Sequence, residues 1–149
     1  MQIEPANVND AQEILTVQKL AFLNQAKLYN VYTLPPLLET LDEVKAAFKT
    51  HTILKATKEG RIVGSVRFSE QNGTCFVGRL LVHPAFQNQG VGAELLRQVE
   101  CLSAVGRFEL YTGYKSEKSL HLYKKLGYTE FKTGKDKDGI TLIYLEKRR

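Results

Sequence analysis

The chain predicts an α/β fold in which a mixed, mostly antiparallel central sheet of about seven strands carries helices on both faces. Three observations lead there. Apolar runs rich in β-branched and aromatic residues alternate with amphipathic stretches in the order β-α-α-β-β-β-α-β-α-β-β. Three strand-like runs follow one another around Glu59-Gly60 and Asn72-Gly73, and Asn-Gly is a strong short-range hairpin signal. A helical stretch then separates the strand ending at Val82 from the next one, and such a crossover feeds a parallel neighbour.

Each element has its own warrant. Ile3 opens a short strand. Asn9-Asp10 ahead of Ala11-Gln12-Glu13-Ile14-Leu15 supply a cap, an early acid and apolar periodicity, predicting a first helix to about Phe22. Thr33-Leu34-Pro35-Pro36-Leu37-Leu38 reads as an exposed connector whose apolar side chains either pack under the domain or line a site. Thr40-Leu41-Asp42-Glu43 is a capping box for a second helix ending near Phe48. Strands are expected over Thr52 to Thr57, Arg61 to Ser69 and Thr74 to Val82, the last stopped by His83-Pro84 because proline offers no ladder donor. With a two-residue turn at Asn72-Gly73, Arg67 lies opposite Gly78 and Arg79 opposite Val66, which points the two arginines to opposite faces of the sheet. Val91, Leu95, Leu96, Val99 and Leu102 recur at helical spacing. Arg107 to Thr112 is a strand, Lys115 to Leu126 a helix closed by Gly127, and Tyr128 to Lys132 with Ile140 to Leu145 a terminal hairpin around Asp138-Gly139.

At 149 residues the chain suits one compact domain over residues 1–149. Two cysteines, Cys75 and Cys101, are too few for a disulfide framework and lack metal-ligand spacing, so no metal is expected. The N-terminus lacks a basic region followed by an apolar core, and no apolar run approaches membrane-spanning length. These features predict a soluble cytoplasmic protein without a membrane partner. The formal net charge of +5 suits a polyanionic ligand, but no nucleic-acid motif accompanies it, and no nucleic-acid partner is expected.

The most informative stretch is Gln87-Asn88-Gln89-Gly90-Val91-Gly92, which joins the end of a strand to the start of an amphipathic helix. Glycines there let the backbone approach a ligand closely. The N–H groups of the first helical turn, with the helix dipole, favour an anion. No Gly-Lys-Ser/Thr follows for a P-loop, and Thr112-Gly113 stands where a dinucleotide site needs an acid.

This segment, following Val82-His83-Pro84, matches the Gln/Arg-x-x-Gly-x-Gly/Ala signature of the GNAT superfamily of acyl-CoA-dependent N-acyltransferases. A second block, Leu122-Tyr123-Lys124-Lys125-Leu126-Gly127-Tyr128, resembles the later family segment in which a helical tyrosine precedes Gly-Phe or Gly-Tyr. With both blocks in order, essentially the whole chain resembles this superfamily. The resemblance implies acetyl-CoA as cosubstrate, its pyrophosphate held by Gln87, Asn88, Gln89, Gly90, Val91 and Gly92. It further implies a pantetheine arm beside Leu80, Leu81 and Val82, where a bulge parts two strands, and a main-chain N–H near Leu81 or Val82 as oxyanion donor. Tyr123 is the expected acid for the departing thiolate.

Two departures stand out. The strand before the glycine motif offers Gly78 and Arg79 where some relatives carry a carboxylate base; Glu109, Glu70, His83 and a solvent-linked water chain remain the alternatives. Ser116 stands where many relatives have asparagine, keeping a hydrogen-bonding group with shorter reach toward the cofactor, and Ser119 takes a usual alanine place. Lys124 and Lys125 either meet phosphate or are solvated, and His121 reads as a surface residue.

The acceptor pocket, by analogy, draws on Phe22, Tyr29, Tyr32, Leu34, Pro35, Arg67 and Tyr111. Arg67 either binds a substrate carboxylate or pairs with Glu70 or another acid. The resulting expectation is an N-acetyltransferase acting on a small-molecule or peptide amine by direct attack, with an acyl-CoA-binding or sensing module as the alternative. The exposed terminal hairpin makes a homodimer compatible with this reading.

Overall fold

The computed structural model describes residues 1–149. One seven-stranded sheet organises the chain, with β1 (Gln2–Pro5), β2 (Thr52–Lys58), β3 (Arg61–Gln71), β4 (Thr74–Val82), β5 (Arg107–Gly113), β6 (Thr129–Lys135) and β7 (Thr141–Arg148) in the spatial order β1-β2-β3-β4-β5-β7-β6. Only the β4–β5 pair is parallel. The mixed sheet that the sequence predicts is therefore present, with the parallel step where the helical crossover demands it.

The helices are α1 (Ala11–Tyr29), α2 (Pro35–Leu38), α3 (Leu41–Ala47), α4 (Val91–Leu102) and α5 (Glu117–Lys125). α1 runs to Tyr29 rather than to about Phe22 and closes on Asn30 in the left-handed region (φ 53°). Its entrance is set by a capping box between Asn7 and Asp10 around a single 3₁₀ turn, two residues earlier than the expected Asn9-Asp10 cap. The Pro35-Pro36 segment, expected as an exposed connector, is one helical turn. Two prolines are tolerated there because the first helical N–H groups have no intrahelical partner to lose. Leu34 and Pro36 are buried and pack under the domain, whereas Pro35 and Leu38 stay exposed. Thr40 and Glu43 form the expected capping box of α3.

Both faces of the sheet are covered. On one, α4 and α5 pack through Val91, Leu95, Leu96, Val99 and Tyr123 against Leu54, Val66, Val77, Phe108 and Leu110 in the largest core cluster. On the other, α1 and α3 bury Ile14 and Ala47 against Ile53 and Ile62. The end of α1, α2 and the β6–β7 turn close around Ala26, Leu34 and Ile140.

Gly64 fixes the approach of α4. A Cβ at that position would lie 2.8 Å from Val91 Cγ1, 3.0 Å from the Leu81 carbonyl oxygen and 3.2 Å from Leu95 Cδ1. Overpacking of this kind costs about 1–3 kcal/mol. Gly64→Ala is therefore expected to lower stability by about that amount in chemical denaturation. An unchanged midpoint would show that α4 can back away from the sheet at no cost.

Candidate functional site

β4 and β5 pair only at Thr74–Arg107, Cys75–Phe108 and Phe76–Glu109, then part. From Val77 onward one edge of β4 has no strand beside it, and from Leu110 onward the facing edge of β5 has none. The register of β4 against β3 also slips, Ser65 facing Leu81 while Arg67 faces Gly78, so Arg79 and Leu80 share one place opposite Val66. Arg79 takes a left-handed conformation (φ 48°) at this bulge. The bulge expected from the resemblance thus lies in β4, on its β3 side, at the mouth of the gap.

The bulge overturns one expectation. Arg67 and Arg79 do not point to opposite faces, because the extra residue resets the alternation; both reach Glu39. Arg67 makes two hydrogen bonds to its carboxylate, each 3.0 Å, and Arg79 Nε stands 3.5 Å from Oε1. Buried Gln18 donates to Glu39 Oε1 (2.9 Å) and to the Pro36 carbonyl (3.0 Å). Burial alone would raise the Glu39 carboxyl, yet the Arg67 and Gln18 hydrogen bonds and the arginine charges hold it below the usual range. His51 is pushed down by burial and by the Arg67 and Arg79 charges, which keeps its imidazole neutral at pH 7. Sequence reasoning missed Glu39, His51, Gln18 and the role of Arg79. A register slip is the only signal that could have flagged Arg79, and local sequence does not encode where a bulge falls.

The strand-to-helix junction is built of unpaired donors. Gly90 caps α4 in the left-handed region (φ 81°) with Asn88 likewise at φ 61°. None of the main-chain N–H groups from Gln87 to Ala93 donates to another protein group. Gly92 sits close to α5 and the end of β4, since a Cβ there would lie 3.3 Å from Leu122 Cδ2 and 3.8 Å from Val82 Cγ2. Lys58, from the β2–β3 hairpin, donates to Gln89 Oε1 (2.7 Å) and lies over the Phe86 ring with Arg61. The cations at this loop are therefore these two, while Lys124 is paired with Glu130 (2.7 Å).

α5 brings Tyr123 to the same face as α4, 6 % exposed, its ring 6.2 Å from that of Tyr128. Burial pushes its phenol up to about 12, opposed by the Ser119 hydroxyl one turn earlier. Tyr128 anchors the turn after the helix by donating to Glu100 (3.0 Å). Ser116, at the entrance to α5, is buried; its hydroxyl donates to Gln25 Oε1 (2.8 Å) and accepts from the Tyr29 hydroxyl (2.8 Å), which in turn accepts from the Lys115 N–H (2.9 Å). Gly113 makes that clamp possible: a Cβ there would lie 2.1 Å from the Tyr29 oxygen.

The remaining expected residues are spread. Tyr32 and Pro35 face solvent beside the α1–α2 connection, and Tyr111 is exposed against Tyr144 (ring centroids 5.3 Å). Each candidate base has a partner within the fold: Glu109 meets Arg107 (2.8 Å), Glu70 Oε1 accepts from the Ser103 hydroxyl (2.8 Å), and His83 Nδ1 accepts from the Ala85 N–H (3.0 Å). No group of three or more His, Cys, Asp or Glu side chains is arranged to hold a metal, and no helix is long and apolar enough to cross a membrane.

Comparison with known proteins accords with this geometry. Residues 49–130 match the family model described as an acetyltransferase (GNAT) domain. The chain is 25% identical over 133 residues to the UPF0157 protein YqkA of Bacillus subtilis, covering 89% of this chain and 38% of YqkA, so it spans well under half of that relative's length. It is 27% identical over 135 residues to ycf52 of Porphyra purpurea, described as an uncharacterized N-acetyltransferase, covering 82% of this chain and 75% of that one. Its fold superposes on the PaiA N-acetyltransferase of Thermoplasma acidophilum, solved in complex with coenzyme A, with a TM-score of 0.80 over the whole of both chains at 14% identity.

The ion cluster yields a test of stability. Removing the carboxylate leaves two largely buried guanidinium groups facing each other, so Glu39→Gln is expected to cost about 3–5 kcal/mol at pH 7. Because the Glu39 carboxyl is held below its ordinary 4.5, its contribution is complete above that pH and is lost as pH falls through the lower folded value. Stability of the wild type should therefore fall more steeply than that of Glu39→Gln below pH 4.5, and parallel acid-unfolding curves would contradict this.

Proposed function

The chain belongs to the GNAT acetyltransferase family, and on that premise we propose that it transfers acetyl from acetyl-CoA to a primary amine by direct attack in a ternary complex. The observation that carries this reading is the run of unpaired N–H groups from Gln87 to Ala93, opening beside a parted strand pair with Tyr123 on the same face. That donor set fits a pyrophosphate: successive N–H groups at a helix entrance, a helix dipole and the Lys58 ammonium all favour an anion. The coenzyme A complex of PaiA, which shares this fold, supports the same occupant here.

Acetyl-CoA supplies the acyl group as a thioester. Gln87, Asn88, Gln89, Gly90, Val91 and Gly92 hold its phosphates through main-chain N–H groups. The unpaired edge of β4 at Leu80, Leu81 and Val82 offers alternating donors and acceptors to the amide-bearing arm, as a missing strand would. A main-chain N–H near Leu81 or Val82 steadies the thioester oxygen as it gains negative charge. The Ser116 hydroxyl, engaged by Tyr29 and Gln25, positions the entrance of α5 and thereby Tyr123.

Tyr123 protonates the departing sulfur. A phenol raised to about 12 keeps its proton at neutral pH, as an acid must. The mismatch with a thiolate narrows in a dry site. Burial disfavours a thiolate that leaves beside Tyr123, as it disfavours the thiolate of Cys75, whose thiol in the same core is lifted to about 11. Cys75 itself is fully buried and its raised thiol is a poor nucleophile, while Cys101 is exposed near the end of α4; neither suits a covalent acyl carrier. With Glu109, Glu70 and His83 engaged elsewhere, the acceptor amine loses its proton to water. Gly78, in place of an acid, also favours a second reading, an acyl-CoA sensor without chemistry.

Thiol release from acetyl-CoA across a panel of amines separates the two. Tight acetyl-CoA binding without release for any amine would favour the sensor. In the enzyme reading, Tyr123→Phe slows turnover by about 10- to 100-fold with nearly unchanged acetyl-CoA affinity by calorimetry. Unchanged turnover would remove Tyr123 from the mechanism. With water as proton acceptor, kcat/KM for the amine should rise about tenfold per pH unit until the amine's own pKa, and a plateau below pH 7 would reveal a side-chain base instead.

A further inference from the structure

The face of the gap opposite Tyr123 carries more positive charge than the fold neutralises. Arg67 and Arg79 meet one carboxylate, Glu39, and Arg67 takes both of its oxygens. Arg79 is left without a hydrogen-bond acceptor: its Nε is buried and unpartnered, and its terminal nitrogens donate to no protein group, although only 23% of the side chain is exposed. His51 is held neutral beside it and brings no compensating charge. A buried guanidinium Nε without a hydrogen-bond acceptor is costly, and the terminal nitrogens, which are not among the buried unmet donors, leave the group able to take a further anion.

The surroundings leave room for one. Gly78 lies opposite Arg67 on this face, and a Cβ built on it meets no atom within 4 Å. Arg79 follows directly at the bulge, and the β4 edge from Leu80 to Val82 begins at the next residue. A planar guanidinium with its donors free is shaped for bidentate binding of a carboxylate.

We propose that the acceptor is an amine that carries a carboxylate, an amino acid or a peptide with an acidic group near its reactive nitrogen, and that Arg79 binds that carboxylate in the space above Gly78. Arg67 is the positioning residue, because it takes both Glu39 oxygens and leaves Arg79 an ion pair without a hydrogen bond. This assignment rests on the acetyl-transfer reading for its chemistry, while its binding prediction stands apart from turnover.

Two measurements test it. In the first, thiol release from acetyl-CoA is compared for matched acceptors, amino acids against their amides. Carboxylate-bearing acceptors are expected to have KM values about 10- to 100-fold lower, a difference that Arg79→Gln abolishes and Arg79→Lys partly keeps. In the second, N-acetyl amino acids and the corresponding N-acetyl amides are added to the protein with coenzyme A, and thermal unfolding is followed. Only the acids should raise the melting temperature, and Arg79→Gln should lose that shift while keeping its own cooperative transition. Amides and acids acting alike in both assays would overturn the carboxylate site. If no amine releases thiol but N-acetyl acids still stabilise through Arg79, acetyl transfer fails and the carboxylate site stands. Because the wild-type comparison needs no variant, poor folding of Arg79→Gln leaves the test decisive.

Discussion

Everything at this site depends on β4 and β5 parting after three paired residues. A parallel pair running its full length would satisfy the main chain of both strands and close the sheet. Here the strands separate after Phe76 and Glu109, and the β4 bulge at Arg79, three residues further along, adds local twist within the gap. The separation has a cost in unpaired N–H and C=O groups, which is tolerable where they face a cleft that a polar ligand can enter. The same device explains why the glycine-rich junction lies where it does. It follows β4 after the single turn Pro84–Phe86, and its donors from Gln87 to Ala93 are likewise unpaired.

The sheet divides the work between its faces. α4 and α5 converge on one side, where Gly92 lets Leu122 come close and where Tyr123 is buried in the main core. α1, α2 and α3 cover the other, and they carry polar groups into it: Gln18 and Glu39 meet Arg67 and Arg79 there. Such a cluster is a poor source of stability, since desolvating three charges offsets most of their attraction. An apolar packing of similar volume would stabilise the fold at least as well. Its net positive charge at the mouth of a cleft is therefore better understood through what it can bind than through what it holds together.

Much of this was legible in the sequence, and the reasons differ by element. The hairpin at Asn72-Gly73, the α3 capping box and the periodic face of α4 are local signals, and local chemistry decides them. The extra length of α1 escaped because Phe22 to Tyr29 lacks a clean apolar stripe; its last turns are held by tertiary contacts of Ala26 and Tyr29 with Leu34, Ile140 and Ser116. The Pro35-Pro36 turn escaped because prolines argue against helix interiors but not against a first turn. The glycine-rich junction and the helix that carries Tyr123 were visible because both lie in short contiguous motifs. Glu39, Arg79 and His51 were not, because they come from two separate connections and a strand and meet only once a one-residue bulge has turned Arg79.

That last point bears on how members of one fold differ. On the proposed reading, the donors at the glycine-rich junction are main-chain groups, indifferent to side-chain identity apart from the glycines that expose them, so a cofactor end built from them can persist while most of the sequence changes. The acceptor end has no such support. In this chain Gly78 on β4 leaves open space near Arg67, which takes both Glu39 oxygens, and Arg79, which has an ion pair but no hydrogen bond to that carboxylate. Under the proposed assignment the balance is electrostatic: two cations meet one carboxylate within the fold, and a carboxylate on the acceptor would supply the second.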